Sequence, residues 1–408
     1  MHLEELKKKF TLRISLGIAA LLFIAILAFG FFWQNRESNQ QNQARGNGEE
    51  INLIHWRRTE KFKVAAWVPD WSTTQSVESM KLSGPNLSNL SPVWHEVKEN
   101  GDLVDKTPLK AKELLRESGK LGIEITPSVA LFDYTVLTAV LSNPENFQRH
   151  VDSLIKLGTT AGYDGLDIDY EQIQLSDKEK FFELLQKVGD GLHAQGKILS
   201  VAVLPKWGDD IVYKGLRETR QVQDWSRIAS IADEVRVMTY DYSGQGSPKI
   251  GPIGPLNWQE QVIQYGLTKM PKEKLVLGVH LYAYEKWVEV GEDVKANDFS
   301  NPKLIFEPDF NKHTGKNDSS RAYSYTQVTK ALTENQGQTE EYEGEKIFSY
   351  SKTNTETGKL ENRVMVYIDA GGVQDRINLA EKYKLRGVAF WRLGSEKDLL
   401  QNLKIPKV

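Results

Sequence analysis

The sequence of 408 residues contains no cysteine. Disulfides, thiolate catalysis and cysteine-based zinc sites are therefore excluded, although this absence does not identify the compartment. The seven histidines include no pair spaced as in His-x-x-x-His, so we expect no metal site and no other cofactor. Basic residues are not in excess, because 52 lysines and arginines against 55 acids give a formal net charge of −3. This balance argues against a nucleic-acid partner.

The amino-terminal segment contains a long apolar run. Residues 14–33 carry no charge, and a helix of this length can cross a bilayer. Four basic residues precede the run: Lys7, Lys8, Lys9 and Arg13. Because such positive flanks stay in the cytoplasm, we expect residues 1–33 to be a basic tip and single-pass signal anchor. Residues 34–60 would be a polar linker, with the rest of the chain outside the cytoplasm at a bacterial cell surface. A cleaved signal peptide is the alternative.

From residue 61 onward, apolar runs of strand length alternate with longer stretches of helical periodicity. The predicted strands are residues 62–71, 88–97, 123–131, 161–171, 198–207, 234–244, 274–284 and 385–394. Eight strands that alternate with helices predict an α/β fold, a (β/α)8 TIM barrel formed by residues 61–408. A doubly wound open sheet is the alternative, but no glycine-rich phosphate loop follows the first strand.

The interval between the seventh and eighth predicted strands is far longer than the others. Residues 288–363 within it are polar and rich in Lys, Glu, Thr, Ser and Asn. A barrel needs no segment of this length to connect two neighbouring strands. We therefore expect a small α+β insertion on the rim of the barrel.

An acidic stretch at residues 161–171 guides the functional interpretation. Side chains of a strand alternate between two faces, so Asp167, Asp169 and Glu171 share one face and apolar or aromatic residues occupy the other. A solvated acidic ladder or an ion-pair network is the alternative. Packing the apolar face against helices and pointing the acids into a barrel explains the alternation better. Carboxyl groups of unequal pKa would then meet at one strand end, as acid catalysis at neutral pH requires.

In TIM barrels the active site lies at the carboxyl ends of the strands. This rule selects residues from distant parts of the chain: Trp67, Asp70, Trp71, Asp169, Glu171, Met238, Tyr240, Asp241, Tyr242, Tyr282, Tyr284 and Trp391. Aromatic rings stack on sugar rings, while carboxylates and phenols bind sugar hydroxyl groups. We therefore expect a carbohydrate site, with ordinary core packing as the alternative for each aromatic residue.

Several of these segments resemble a known family. The sequence DGLDIDYE at residues 164–171 matches the Asp-x-x-Asp-x-Asp-x-Glu signature of glycoside hydrolase family 18, which includes chitinases and related N-acetylglucosaminidases. MTYDYSG at residues 238–244 is similar to its sixth-strand motif, and AFWRLG at residues 389–394 to its final-strand motif. GPIGPLNW at residues 251–258 and LVLGVHLYAY at residues 275–284 resemble the bacterial branch that contains spore-cortex-lytic and germination-type enzymes.

The resemblance implies a retaining, substrate-assisted mechanism. Glu171 would be the general acid, and the 2-acetamido carbonyl group of the substrate would attack the anomeric carbon. Asp169 would bind the acetamido N–H, with Asp167 beneath it sharing a proton, and Tyr240 would bind the acetamido carbonyl oxygen. Asp164 falls on the other face, and we expect a structural role for it. The residues expected to bind substrate are Trp391, Met238, Asp241, Tyr242, Tyr282 and Trp67.

These observations together predict a membrane-anchored, monomeric hydrolase that cleaves β-1,4 bonds next to N-acetylglucosamine. Chitin-binding modules and LysM repeats are not evident in the sequence, which favours peptidoglycan or short oligosaccharides over crystalline chitin. A non-catalytic, lectin-like or germination-associated wall protein on the same fold is the alternative. A scaffold that uses the insertion as a partner surface is a third hypothesis.

Overall fold

The computed structural model describes residues 61–406 with four gaps, at residues 210, 212, 214–215 and 301–318. The expected anchor (residues 1–33) and linker (residues 34–60) lie outside the described residues. Within the described part of the chain, no helix is long and apolar enough to span a membrane. Lys61–Val408 forms one compact unit.

The strands of this unit are numbered along the chain. They are β1 (Lys63–Pro69), β2 (Asn89–Val97), β3 (Leu103–Asp105), β4 (Glu124–Ile125), β5 (Ser128–Leu131), β6 (Gly165–Tyr170), β7 (Ile198–Val203), β8 (Glu234–Val237), β9 (Leu275–His280), β10 (Tyr282–Glu289), β11 (Ser320–Ser324), β12 (Gly337–Tyr342), β13 (Glu345–Thr353), β14 (Leu360–Tyr367) and β15 (Gly387–Trp391).

The α-helices are numbered in the same way. They are α1 (Thr73–Ser83), α2 (Ala111–Leu121), α3 (Tyr134–Ser142), α4 (Pro144–Gly158), α5 (Lys178–His193), α6 (Arg217–Val222), α7 (Trp225–Ile231), α8 (Leu256–Leu267), α9 (Tyr325–Glu334) and α10 (Ala370–Lys382).

Eight parallel strands close into a barrel in the order β1, β2, β5, β6, β7, β8, β9 and β15. β15 returns to β1, with Gly387 opposite Lys63 and Phe390 opposite Ala66. The predicted TIM barrel is therefore confirmed, and each barrel strand overlaps one of the eight predicted runs. The short strands β3 and β4 pair with β2 outside this ring.

Several helices begin at polar caps that the sequence displays. Asn143 precedes Pro144 and accepts hydrogen bonds from the backbone N–H groups of Glu145 and Asn146, which starts α4. Asp224 caps α7 in the same way. Such side chains satisfy N–H groups that have no partner inside the helix. These caps fix where α4 and α7 begin.

The two faces of the barrel strands differ in chemistry. Outward-facing residues such as Leu166, Ile168 and Val201 join the large apolar core between the barrel and its helices. The inward-facing apolar cluster is small and includes Trp67 and Met238. Polar and charged side chains fill the inward positions nearer the amino ends of the strands. The barrel interior therefore contains buried polar and charged groups close to the acids on β6.

A second sheet lies between the last two barrel strands in sequence. It is antiparallel in the order β11, β10, β14, β13 and β12, and α9 packs against it through Val328 and Ala331. The insertion expected at residues 288–363 thus corresponds to a sheet that starts at Tyr282 and ends at Tyr367. Tyr282 and Tyr284 therefore lie on the insertion sheet, beyond the seventh barrel strand, which ends at His280.

Close packing between β6 and β7 gives a prediction about stability. A Cβ atom at Gly165 would lie 2.1 Å from the carbonyl oxygen of Ile198, whereas one at Gly119 meets no atom within 4 Å. Gly165→Ala should lower the free energy of unfolding by about 1–3 kcal/mol, because the strands must separate. Gly119→Ala should raise it by about 0.5–1 kcal/mol, because helix formation then costs less entropy.

Urea unfolding of the full chain, followed by far-UV circular dichroism, measures both changes. Equal midpoints for the two variants would contradict the close contact at Gly165.

Candidate active site

The acids of β6 point into the barrel, and the residues between them point outward. Asp167 is fully buried and Asp169 is 3% exposed. Tyr170 faces the opposite way, where its hydroxyl group lies 2.6 Å from Nε2 of His150 and its ring packs near Phe181. The predicted alternation is therefore present. Because the contacts of Tyr170 hold the outward face of β6 in place, the carboxyl groups of Asp167 and Asp169 are held on the inward face.

Asp167 lies deepest and has the most contacts. Its Oδ2 atom accepts hydrogen bonds from Nε1 of Trp67 at 2.9 Å and from Oγ of Ser128 at 2.8 Å. Its Oδ1 atom lies 3.7 Å from Nη1 of Arg236. Two neutral donors and one cation compensate for the loss of water around this carboxylate.

Arg236 is a fully buried cation beneath the site. Its Nη1 donates to Oγ of Ser91 at 2.6 Å, and its Nη2 donates to Oδ1 of Asn89 at 2.9 Å. Nη2 also lies 3.3 Å from Glu234. These partners hold the guanidinium group in one orientation, so its charge is fixed beside Asp167.

Glu234 links Arg236 to a wider ion network at the amino ends of the strands. It pairs with Lys63 and lies 3.5 Å from Arg386. Burial alone would raise the pKa of Glu234, but the three neighbouring cations outweigh burial and lower that pKa to about 2. The network therefore keeps Glu234 ionised.

The pKa values of Asp169 and Glu171 are raised, whereas that of Glu234 is lowered. Burial and the charges of Glu171 and Asp167 raise the pKa of Asp169 well above its ordinary value, and Arg236 opposes this rise. Burial and the charge of Asp241 raise the pKa of Glu171 to about 7, against the influence of Arg220. Glu171 keeps part of its surface exposed. It is therefore a carboxyl group of a partly exposed residue that can retain a proton near neutral pH.

Tyr240 and Asp241 follow β8 and form the neighbouring wall. Burial and the surrounding carboxylates raise the pKa of Tyr240 well above 10, so its hydroxyl group remains a donor. Asp241 accepts hydrogen bonds from the hydroxyl groups of Tyr284, at 2.8 Å, and Tyr282. Because both tyrosines lie on β10, the insertion sheet completes a wall of the site.

Aromatic side chains form the floor. Trp391 lies edge-on to Trp67 with 6.1 Å between ring centroids, and both pack with Met238. A cavity of about 270 Å³ lies between this floor and the insertion. Its lining residues include Asp241, Tyr282, Tyr284, Tyr323, Gln327, Trp391 and Arg392.

Of the ten predicted site residues, Asp241, Tyr282 and Trp391 line this cavity. Trp67, Met238 and Tyr240 belong to the same cluster as Trp391, Asp167 accepts a hydrogen bond from Trp67, and the charges of Asp169 and Glu171 reach Tyr240.

Tyr242 lies elsewhere. Its side chain is 1% exposed and packs on Trp258 of α8, with 5.2 Å between ring centroids. The expectation that Tyr242 binds substrate is wrong. β8 ends at Val237 and Asp241 has a left-handed φ of 55°, so the alternation of faces does not continue to Tyr242.

Three residues that bind or influence the acids of the site were not among the predicted site residues: Ser128, Arg220 and Arg236. Arg236 carried a usable signal, because it has the same parity as Met238 and Tyr240 in the predicted strand and lies two residues after Glu234. A charge at an inward position of a buried strand requires a partner there. Ser128 and Arg220 gave no comparable signal, because each becomes relevant only through packing between distant segments.

The fold and the site define a TIM-barrel glycosidase with several carboxyl groups at the carboxyl ends of the strands. Residues 131–396 match the family described as Glycosyl hydrolases family 18, and the chain belongs to this family. The family resemblance inferred from the sequence is confirmed, as is the prediction of a glycosidase.

Relatives of known name cover most of the chain. The uncharacterized glycosylase YvbX of Bacillus subtilis (strain 168) is 26% identical over 341 residues, which are 80% of this chain and 86% of that protein. The cortical fragment-lytic enzyme of the same organism is 25% identical over 322 residues, covering 78% of this chain and 67% of that enzyme. These similarities extend over the barrel and its insertion.

Solved structures show the same fold. The spore cortex-lytic enzyme SleL of Bacillus megaterium QM B1551 superposes with a TM-score of 0.66 and 21% identity, over 86% of this chain and 76% of that chain. A chitinase from Chromobacterium violaceum ATCC 12472 has a TM-score of 0.66 and 17% identity, over 83% of this chain and 96% of that chain.

The position of Arg236 gives a prediction. Arg236→Met removes a cation and leaves Asp167 and Glu234 buried without it, so the free energy of unfolding should fall by about 3–5 kcal/mol. Arg236→Lys keeps the charge and should lose less than half of that amount.

Chemical unfolding of the full chain measures the change. Arg116→Met, at an exposed helix position, should change stability by less than about 0.5 kcal/mol. If Arg236→Met changed the free energy of unfolding as little as this control does, the charge of Arg236 would not stabilise the buried Asp167 and Glu234.

Proposed function

We propose that this glycosidase cleaves β-1,4 bonds next to N-acetylglucosamine in peptidoglycan or chitin-like glycans, with retention of the anomeric configuration. The observation that carries the proposal is the state of Glu171. This carboxyl group is partly exposed at the mouth of the barrel, and its pKa is raised to about 7. A group with this acidity can donate a proton to a leaving oxygen at neutral pH.

In the proposed first step, the proton of Glu171 passes to the glycosidic oxygen as its bond to the anomeric carbon breaks. The carbonyl oxygen of the substrate's 2-acetamido group forms the new bond to that carbon, giving a cationic oxazolinium ring. Glu171, now a carboxylate, then takes a proton from water. The water oxygen attacks the anomeric carbon from the face that the leaving group occupied, the bond from that carbon to the acetamido oxygen breaks, and the acetamido group is restored.

Asp169 and Tyr240 hold the acetamido group in this scheme. Tyr240 donates its hydroxyl hydrogen to the acetamido carbonyl oxygen, and its raised pKa keeps that hydrogen in place. Asp169 accepts the amide N–H and offsets the positive charge of the ring. Asp167 shares a proton with Asp169, and Arg236 limits the cost of ionising this pair. Trp67 and Ser128 hold Asp167 in place, so this acid is preorganised for the charged intermediate.

The choice of glycan is supported by the relatives, which include a cortical fragment-lytic enzyme, a spore cortex-lytic enzyme and a chitinase. These names favour a wall glycan or chitin as the substrate. Trp391 would lie under a sugar ring, and Asp241 would bind its hydroxyl groups.

We also propose a location at the cell membrane, with the catalytic unit outside the cytoplasm and acting as a monomer. The support is the uncharged run of residues 14–33, its basic amino-terminal flank and the polar residues 34–60. The anchor would hold the catalytic unit next to the wall.

Removing the proton donor should abolish turnover. Glu171→Gln should lower kcat on N-acetylglucosamine oligomers and on purified peptidoglycan by roughly a hundredfold to ten-thousandfold, because the amide cannot protonate the leaving oxygen. Products are identified by mass spectrometry.

Asp164→Asn is the matched control, because Asp164 lies in the same motif and its Oδ2 accepts a hydrogen bond from the backbone of Ile125. It should retain activity within a few-fold. Wild-type rates in a folded Glu171→Gln variant would refute the assignment.

The acidity of Glu171 predicts the pH dependence. Its folded pKa lies above the ordinary value of 4.5, and the protonated form is the active one, so kcat/KM should fall as pH rises through about 7. Asp241→Asn removes a charge that raises this pKa, and the alkaline limb should therefore move to lower pH.

Initial rates across the pH range, with Asp164→Asn as the reference, measure the shift. A limb unchanged in Asp241→Asn would show that Glu171 does not control it.

The proposed anchor can be tested by fractionation. The full chain should remain with membranes after alkaline carbonate extraction, because a spanning helix is not removed by charge screening. A chain without residues 1–33 should be released into the soluble fraction.

Amino-terminal sequencing of the protein recovered from cells distinguishes the two readings of this segment. A soluble mature protein that starts beyond residue 33 would show that the segment is cleaved.

A further inference from the structure

A cavity of about 540 Å³ lies next to the loop that follows β7, where α6 and the start of α7 pack near α8. The proposed reaction does not use this cavity. Its lining carries an unusual number of cations. They are Lys178, Lys206, Arg217, Arg220 and Lys269.

The two acids that line the same cavity are already engaged. Asp209 accepts from Nζ of Lys269 at 2.9 Å and from the hydroxyl group of Tyr265 at 2.6 Å. Asp224 caps α7 through the backbone N–H groups of Ser226 and Arg227. Five cations and two carboxylates leave a formal charge of +3 among the lining residues that the structure describes. A concave surface with this charge attracts anions.

One of these cations, Lys206, has an ammonium group that is largely removed from water. Burial lowers its pKa to about 8. Its Nζ donates to the carbonyl oxygen atoms of Gln223, at 2.6 Å, and Arg220, at 3.3 Å. An ammonium group has three donors, so one N–H remains for a further acceptor. The charges of Asp224 and Asp209 act on Lys206, and its Nζ lies 5.2 Å from the ring centroid of Trp225. Among the described residues, however, no carboxylate lies within ion-pair distance of Lys206, and a ligand anion could take that position.

We propose that this cavity binds a compact oxyanion, a carboxylate or phosphate group carried by the wall polymer. Lys206 would bind it from inside, with half-buried Lys178 and exposed Arg217 adding long-range attraction. The identity of the polymer rests on the proposed function, whereas binding of the anion does not.

The cavity and the proton donor share one structural support. The backbone N–H of Ile173 donates to Oγ1 of Thr219 on α6 at 2.9 Å, and Ile173 lies two residues after Glu171. Nε2 of Gln223, which follows α6, donates to the carbonyl oxygen of Tyr170 at 3.2 Å. α6 therefore forms a wall of the cavity and supports the loop that carries Glu171.

Inorganic phosphate titrated into the full chain by calorimetry tests the site directly. The double variant Lys178→Glu/Arg217→Glu should weaken phosphate binding roughly tenfold or more, because two attractive charges become repulsive. The control Lys156→Glu/Lys187→Glu makes the same change of net charge at exposed positions outside the cavity, and it should bind as the wild type does. Equal affinity in all three chains, or no binding by the wild type, overturns the proposal.

The source of the anion is identified with a chain that binds without cleaving. Glu171→Gln, with and without Lys178→Glu/Arg217→Glu, is sedimented with intact wall, with wall stripped of phosphate polymers and with wall whose carboxylates are amidated. The cavity variant should bind intact wall less well. If the difference disappears with wall stripped of phosphate polymers, the ligand is phosphate; if it disappears with amidated wall, the ligand is carboxylate. Equal binding of both chains to intact wall overturns the proposal.

Cleavage of neutral N-acetylglucosamine oligomers separates this proposal from the proposed function. The Lys178→Glu/Arg217→Glu chain should cleave them within about twofold of the wild-type rate. A wild-type chain that cleaves nothing but binds phosphate would refute the catalytic proposal alone.

Discussion

The site depends on how one barrel accommodates several carboxyl groups at its mouth. Asp167, Asp169 and Glu171 alternate along a single strand, and Asp241 adds a fourth acid. Buried like charges are expensive unless they are paired or protonated. The structure uses both means, because Arg236 lies beside Asp167 and the pKa values of Asp169 and Glu171 are raised. Burial first, and repulsion between the acids second, thus favour the protonated forms of Asp169 and Glu171.

The insertion is part of this arrangement. Asp241 is held by Tyr282 and Tyr284 from β10, a strand of the insertion sheet. The barrel provides Glu171, and the insertion holds Asp241, the acid whose charge raises the pKa of Glu171. The space between them is lined by both, so the length and sequence of the insertion influence which glycan fits.

Sequence patterns could predict the parts of this design that follow a local period. Eight apolar runs predicted the barrel, and the parity of residues 161–171 predicted which acids point inward. Tyr242 was misplaced because the backbone turns at Asp241, where the period of two ends. Tyr282 and Tyr284 were assigned to the seventh barrel strand because LVLGVHLYAY contains no turn signal at Leu281. Arg220 and Ser128 matter only through contacts between distant segments, which no local pattern records.

The pairing of β15 with β1 has a consequence for biogenesis. These neighbours in the barrel are the first and last strands of the unit, since Lys63 lies opposite Gly387. Ribosomes make the chain from its amino end, so the ring stays open until the final strand has been synthesised, and such distant pairing is slow to form. Trp391, the floor of the pocket, lies on that last strand. An incomplete chain therefore has no assembled site and cannot attack glycan before its synthesis ends.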